Sequence, residues 1–192
     1  MITHTKKPSP TKRRIIDAAL SLFVEQGISA TTTRDIAKRA EIAEGTIYRH
    51  YESKEALAAD LFLSDFLPFT NAIAAMATGD QGFFEKLEQI VGHFYRLFDS
   101  NPTLWLYIMT YQSGPRSRVP KGVATPYSVM RQMLSTAVAA GETRKVDVAL
   151  YTQILLGVIQ HPAEGVVYGE LSPPLQDTLA EVMAAIRRLL QP

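Results

Sequence analysis

The segment EGTIYRHY, residues 44–51, concentrates the side chains of this sequence that are best suited to contact another molecule. If the segment is helical, Ile47 and Tyr51 are four residues apart and therefore share one apolar, buried face. The opposite face would present hydrogen-bonding, aromatic and cationic groups to solvent. These outward residues are Glu44, Gly45, Thr46, Tyr48, Arg49 and His50.

A second short helix is predicted immediately before this segment, over residues 33–40. Its apolar residues Ile36, Ala37 and Ala40 fall on one face at helical spacing. Thr32 can cap the helix, with Asp35 three residues later in the capping-box position. Two short helices joined by a turn, the second presenting polar side chains, form the layout of a DNA-reading helix-turn-helix.

In that layout the second helix would face the major groove of DNA. Arg49 could make two hydrogen bonds to guanine, and Glu44 could accept one from the N4 amino group of cytosine. Other polar residues would hold phosphates and set the register on the duplex. The alternative is an exposed helix with ordinary solvated groups. The full predicted DNA-binding set is Thr33, Arg34, Glu44, Gly45, Thr46, Tyr48, Arg49, His50 and Lys54, with Thr33, Tyr48, His50 and Lys54 as phosphate contacts.

The distribution of charge supports a contact with nucleic acid. Residues 1–54 contain ten Lys/Arg and six Asp/Glu, so that part is positive although the whole chain carries a net charge of only +1. A basic arm over residues 1–14 suits phosphate contacts that release counterions. A solvated tail is the alternative for residues 1–9, where Pro8 and Pro10 are expected to prevent a helix.

Three motifs in this region closely resemble the DNA-binding domain of the tetracycline-repressor (TetR) family. They are TTRDIA at 32–37, GTIYRHY at 45–51 and SKEAL at 53–57, and the resemblance covers about residues 11–60. The sequence departs from the family pattern at Glu41, where the turn usually has Gly, and at Ala43, where a small hydroxyl residue is usual. Gly favours the left-handed backbone that such a turn often needs, and Ala43 cannot cap the following helix.

The resemblance implies an all-α protein with two domains. Residues 1–52 would form the basic arm and a three-helix helix-turn-helix domain, and residues 53–192 a larger helical bundle that binds an effector and dimerises through its last two helices. Intramolecular burial is the alternative for those apolar helices. The hydrophobic spacing predicts helices over residues 11–26, 83–99, 103–112, 127–140, 146–168 and 174–190, with a loop at 113–126. Gly27 should end the first of these helices. A further helix should be capped by Ser53 and bent or broken at Pro68.

Aromatic and methionine side chains in the predicted larger domain could surround an apolar or aromatic small molecule. The same residues at helical spacing would also suit a plain hydrophobic core. The candidates for an effector pocket are Phe66, Phe94, Phe98, Trp105, Met109, Tyr111, Tyr127, Met130 and Gln160, with Met133 as a further possibility.

Several classes of protein receive no support from the sequence. There is no cysteine, and the four histidines show no metal-ligand spacing, so neither a metal site nor a cofactor is expected. No nucleophile motif for an enzyme is present. The N-terminus lacks the apolar core of a secretory signal, and no apolar run is long enough to span a bilayer. A cytoplasmic protein with no membrane partner is the expectation.

The combined expectation is a homodimeric transcriptional repressor that leaves a palindromic DNA operator when a small-molecule effector binds. One alternative is a helix-turn-helix regulator whose C-terminal domain only dimerises or binds a protein partner. Another is a helical enzyme or carrier that retains a vestigial DNA-binding domain.

Overall fold

The structure, a computed structural model, describes residues 8–112, Val119 and residues 122–191. The described residues form α-helices and one 3-10 helix and contain no strand, so the predicted all-α class is confirmed. The helices are α1 (Pro10–Ala30), α2 (Thr33–Arg39), α3 (Glu44–Tyr48), α4 (Lys54–Ala77), α5 (Phe83–Ser100), α6 (Pro102–Gln112), α7 (Pro126–Ala140), α8 (Val148–Val167), the 3-10 helix Leu175–Thr178 and α9 (Leu179–Leu190).

The chain divides into two compact units. Unit 1 comprises residues 1–66 and 103–119, and unit 2 comprises residues 67–102 and 120–192. The helix-turn-helix segment is therefore grouped with the first part of α4 and with α6. The functional division at residues 52 and 53 that the sequence suggests remains a prediction.

Unit 1 has a core in which the first three helices share apolar residues. Ile15, Ile36 and Ile47, one from each helix, are fully buried. Aromatic rings extend this core, since Phe62 stacks on Tyr111 with ring centroids 4.6 Å apart. The Tyr107 hydroxyl donates to the carbonyl oxygen of Ala58 at 2.5 Å, which ties α6 to α4 within this unit.

Unit 2 is a helical bundle whose helix ends are closed by side chains from other elements. Gly82 cannot cap α5, and instead the Glu142 carboxylate accepts from the Phe83 N–H at 2.7 Å. Asp99 accepts from the N–H groups of Leu175 and Gln176, at 2.7 and 3.0 Å, and so caps the 3-10 helix. These carboxylates satisfy helix N–H groups that would otherwise lack partners.

Helix α1 differs from its prediction at both ends. It begins at Pro10, one residue before the predicted start, with Ser9 as its N-cap. Proline fits the first helical position because the N–H that it lacks would have no partner there. Gly27, with φ of 81°, interrupts the helical backbone as expected, but helical residues continue to Ala30.

Helix α4 runs without a break through Pro68, where the sequence predicted a bend or a break. Among the described residues it is the helix that is long and apolar enough to cross a bilayer by length and composition. Its apolar residues Leu57, Phe62 and Phe66 are fully buried, which is the behaviour of a core helix.

The remaining helices lie within a few residues of their predicted bounds. Residues 113–118, 120 and 121 of the predicted loop lie outside the described residues. The segment predicted as one helix over 174–190 is a 3-10 helix followed by α9.

Candidate nucleic-acid interface

Helix α2 begins with the capping box that the sequence predicts. The Thr32 hydroxyl oxygen accepts from the Asp35 N–H at 3.1 Å, and Asp35 Oδ2 accepts from the Thr32 N–H at 3.0 Å. The hydrogen bonds from the Thr32 hydroxyl and backbone N–H lower the pKa of the Asp35 carboxyl. The negative charge at the first turn of α2 is thereby held in place.

The turn between α2 and α3 adopts the strained backbone that the sequence indicated. Glu41 has φ of 52°, in the left-handed region that favours glycine. A guanidinium nitrogen of Arg14 donates to the Glu41 carbonyl oxygen at 2.9 Å, and its charge lies 3.6 Å from the Glu41 carboxylate. A side chain from α1 therefore supports a turn that lacks its usual glycine.

Helix α3 is shorter than the sequence predicted. It ends at Tyr48 rather than extending to Tyr51, because the Arg49 and His50 N–H groups donate to carbonyls three residues earlier, at 3.3 and 2.9 Å. Ala43 provides no side-chain cap at the start of the helix, as expected. Ile47 and Tyr51 nevertheless point into the core of unit 1, as predicted.

The predicted DNA-contacting residues of this segment lie on the outer surface of α3 and directly after it. Glu44, Gly45, Arg49 and His50 are exposed, and 55% of the Tyr48 side chain is accessible although it is a large apolar ring. Thr46 is half-buried. An exposed aromatic ring beside acidic and basic groups offers both donors and acceptors to a partner.

Helix α2 contributes Thr33 and Arg34 to the same part of unit 1. The Thr33 hydroxyl donates to Glu44 Oε1 at 2.7 Å and lies 3.2 Å from the Tyr48 hydroxyl. Arg34 is exposed. The structure thus brings one predicted phosphate contact of α2 into direct contact with two predicted residues of α3.

Lys54 lies where the sequence placed it, at the start of α4, but its ammonium already has partners. It donates to the carbonyl oxygen of Thr31 at 2.7 Å and to that of Ser29 at 3.5 Å. Only 17% of the Lys54 side chain is exposed. The Ser53 hydroxyl oxygen accepts from the Ala56 N–H at 3.0 Å, which confirms the predicted cap of this helix.

The described part of the basic arm also contacts unit 1 itself. Lys12 lies 3.4 Å from the Asp60 carboxylate and 5.1 Å from the centre of the Tyr51 ring. Tyr51 donates its hydroxyl hydrogen to Asp60 at 2.9 Å, and burial together with the carboxylate raises the pKa of this phenol. Lys6 and Lys7 lie outside the described residues.

Two contacts that stabilise the interface were not predicted from the sequence. The Arg39 guanidinium makes two hydrogen bonds to the Glu25 carboxylate, both of 2.8 Å, which join α1 to α2. The Arg14 contact with Glu41 is the second. Neither ion pair could be predicted, because its two charged residues are far apart in the sequence and nothing in the local pattern indicates that the helices bring them together.

The candidate effector residues are divided between the two units. In unit 1, Phe66, Trp105 and Tyr111 are buried and Met109 is half-buried. In unit 2, Phe94, Phe98 and Met130 are buried, while Tyr127 and Gln160 are half-buried. Most of the aromatic candidates therefore take part in the cores of their units.

Unit 2 contains an open, mainly apolar cavity of 340 Å³ between the ends of α4 and α5 and one side of α7. Of the effector-pocket candidates predicted from the sequence, only Met133, which was named as an additional candidate, lines this cavity. The cavity was not predicted because small residues that are not adjacent in sequence form its walls. The lining residues are Ala74, Ala77, Thr78, Phe83, Lys86, Ala124, Ser128, Val129, Gln132, Met133, Thr136, Ala137 and Glu142.

The arrangement of α1 to α3, with a short exposed second helix after a tight turn, is that of a helix-turn-helix DNA-binding domain. Residues 15–61 match the family model of bacterial regulatory proteins of the TetR family. This part of the chain is therefore similar to the regulators of the TetR family, as the sequence motifs indicated.

Curated relatives agree with this assignment. The HTH-type transcriptional repressor KstR2 of Rhodococcus jostii is 33% identical over 100 residues, which are 50% of this chain and 48% of that protein. The fatty acid metabolism regulator protein of Bacillus subtilis is 26% identical over 159 residues, 80% of this chain and 82% of that protein. The relatives of higher identity are matched over half of their length or less.

A solved structure extends the similarity to the whole fold. The transcriptional regulator FadR from Bacillus subtilis, in complex with stearoyl-CoA, superimposes with a TM-score of 0.72 at 24% identity, covering 90% of this chain and 96% of that one. At this level of identity the similarity shows a shared fold.

Proposed function

We propose that this chain is a dimeric transcriptional repressor that binds a palindromic DNA operator and leaves it when a small molecule binds. The exposed surface of α3 carries the proposal, because a TetR-family helix-turn-helix presents Glu44, Tyr48 and Arg49 to solvent. Arg49 would bind guanine in the major groove. His50, which follows α3, and Arg34, on α2, would contact the backbone phosphates.

The proposed dimer would form through α8 and α9. The outer surface of α8 contains an exposed stripe at helical spacing that runs from Leu150 through Gly157 and His161 to Tyr168. Leu150 and Tyr168 are 57% and 76% exposed, which is unusual for large apolar side chains. A second copy of the chain would cover them, and a twofold dimer matches a palindromic operator with half-sites one helical turn apart.

An apolar or aromatic effector is proposed for the helical bundle. The stearoyl-CoA complex of the FadR structure, which shares the fold, supports an apolar ligand of this general kind. Helix α4 contributes Lys54–Phe66 to unit 1 and Leu67–Ala77 to unit 2. A ligand that favours one position of this helix would alter the separation of the two recognition helices. It must bind the two states with different affinity for the operator to be released.

A regulator without a small-molecule effector is the second candidate. The burial of Phe66, Phe98 and Met130 favours it, because these predicted pocket residues are packed as core residues are. In that case the C-terminal bundle would only dimerise or bind a protein partner.

The test is selection of bound duplexes from random DNA by the purified protein at near-physiological salt. We expect a palindrome whose half-sites lie about 10 base pairs apart, or a small multiple of that spacing. Selection of no common sequence would contradict the proposal.

The effector is tested separately with the selected operator. Long-chain acyl-CoA and free CoA, added at matched concentrations, would be compared for release of the labelled duplex. Release by the acyl form alone supports an apolar effector. If neither compound changes the operator affinity and neither raises the melting temperature of the protein, an acyl effector is excluded and the second candidate is favoured.

A further inference from the structure

Thr33 connects the two helices of the helix-turn-helix through a short hydrogen-bond chain. Its hydroxyl oxygen lies 2.7 Å from Glu44 Oε1 and 3.2 Å from the Tyr48 hydroxyl. Thr33 is the first residue of α2, whereas Glu44 and Tyr48 are the first and last residues of α3. The contact therefore spans the turn that contains the left-handed Glu41.

The chemistry of the three groups sets the direction of the chain. A carboxylate has no hydrogen to give, so the bond to Glu44 must use the one hydroxyl hydrogen of Thr33. Thr33 can then only accept from Tyr48, and the Tyr48 hydroxyl must be the donor. The hydroxyl hydrogen of Tyr48 thus points to the Thr33 oxygen, and that of Thr33 points to Glu44.

This direction affects what the three residues can offer to DNA. Phosphate oxygens only accept hydrogen bonds, so Thr33 or Tyr48 could donate to a phosphate only by giving up a bond of the chain. Glu44 Oε2 has no partner among the described residues and remains able to accept. An exposed carboxylate near phosphates is unfavourable unless a donor of the DNA faces it.

The bases present such a donor in the major groove. Cytosine N4 and adenine N6 carry amino groups there, whereas guanine and thymine present acceptors at the matching positions. A carboxylate fixed in one orientation would accept from an amino group and be repelled by a carbonyl. A carboxylate that rotates freely would lose part of that discrimination, because ordering it on binding costs entropy.

We propose that Thr33, with Tyr48 behind it, is a positioning residue that holds the Glu44 carboxylate for recognition of an amino-bearing base, cytosine or adenine. This inference rests on the proposed binding of operator DNA. It assigns Thr33 and Tyr48 to base selection, in place of the phosphate contacts that their residue types suggest in the sequence.

The experiment measures the affinity of the purified dimer for the selected operator and for duplexes changed at each base pair of a half-site. Wild-type protein is compared with Thr33→Val, which keeps the shape and removes the hydroxyl, and with Thr33→Ser, which restores it. Glu44→Ala identifies the base position that Glu44 contacts. Tyr48→Phe removes the second hydroxyl and tests the chain independently of any effect of Thr33 on folding.

We expect Glu44→Ala to abolish the preference for an amino-bearing base at one position in each half-site. Thr33→Val should reduce that same preference about tenfold, the effect of losing one hydrogen bond to a charged group. Thr33→Ser should restore the preference, and Tyr48→Phe should reduce it less than Thr33→Val does. The other positions should keep their preferences.

An equal loss of affinity for every duplex in Thr33→Val would identify a phosphate contact and overturn the inference. An unchanged profile, or a change at a position that Glu44 does not contact, would also overturn it. Failure of the proposed function is distinguishable, because wild-type protein would then select no sequence at all. Amide hydrogen exchange in α2 and α3 would verify that each variant retains the folded domain.

Discussion

Arg49 illustrates how a single residue can be available to a partner when no described residue of its own chain pairs with it. It is exposed directly after α3 and makes no ion pair with any of the described residues. By contrast, the Arg39 guanidinium makes two hydrogen bonds to the Glu25 carboxylate, and that of Arg14 lies beside the Glu41 carboxylate. Among these arginines of unit 1, Arg49 has its donors available for a base.

Replacement of Arg49 by alanine should weaken operator binding by about 1–3 kcal/mol and relax the sequence preference at one base position. The reason is the loss of two hydrogen bonds to one guanine. Competition binding with duplexes varied at each position measures both effects. Arg131→Ala is the matched control, since it removes the same charge from an exposed site on α7 in unit 2. Equal weakening by both variants would show that only net charge matters.

The left-handed backbone of Glu41 gives a prediction about stability. Glu41→Gly should be more stable than Glu41→Ala by about 1 kcal/mol, because only glycine adopts a φ of 52° without steric cost. Both variants lose the surface ion pair with Arg14, so their comparison isolates the backbone term. Urea denaturation of the full chain, with matching slopes for the two variants, measures the difference. Equal midpoints would show that the turn is not strained.

The residues that could be predicted from the sequence are those whose partners are close along the chain. The Thr32 and Asp35 capping box spans three residues, and its pattern is readable directly. The bonds of Thr33 to Glu44, Lys54 to Thr31 and Arg14 to Glu41 span 11, 23 and 27 residues. Those pairings depend on how the helices pack, which no local spacing specifies.

At the scale of elements, helix α3 depends on its surroundings rather than on its own sequence. It has five residues and no side-chain cap, and isolated helices of that length do not form in water. Buried Ile47 and Tyr51 hold it against the core of unit 1. The prediction of a longer helix failed because Ile47 and Tyr51 keep helical spacing although α3 ends at Tyr48, where the next two N–H groups bond to carbonyls three residues back.

Lys54 gives a prediction about how the elements are joined. Lys54→Ala should lower the stability of unit 1 by about 1–3 kcal/mol, because the carbonyl oxygens of Ser29 and Thr31 at the end of α1 lose their donor. Hydrogen exchange of the amides in α1 and α3 would report the loss. Lys145→Ala, which removes the same side chain from an exposed site in unit 2, is the control.

The salt dependence of operator binding adds a second readout for Lys54. The sequence suggested a phosphate contact for this residue, and loss of such a contact would lower the salt slope by about one. A lower slope with unchanged stability would contradict the structural role that the carbonyl contacts indicate. A stable fold and an unchanged slope together would contradict both roles.

At the scale of the whole molecule, a glycine at position 157 is not explained by contacts within the single chain, but the proposed dimer would explain it. Gly165, on the same helix, is explained within the chain, since a Cβ there would lie 3.1 Å from the Leu171 side chain. A Cβ on Gly157 would meet nothing within 4 Å, and the residue lies in the exposed stripe of α8. Glycine inside a helix costs about 1 kcal/mol relative to alanine. A partner helix that approaches closely would account for its presence.

Gly157→Arg should therefore leave the single chain folded and prevent the dimer, because the new side chain has room in one copy but would occupy the space of the second. Sedimentation equilibrium should show a monomer, and affinity for the palindromic operator should fall toward that of a single half-site. Ala139→Arg, at an exposed position on α7, is the control and should remain dimeric with full affinity. A dimeric Gly157→Arg variant with unchanged operator affinity would place the dimer interface on a different surface, and the exposed apolar residues of α8 would then need another partner.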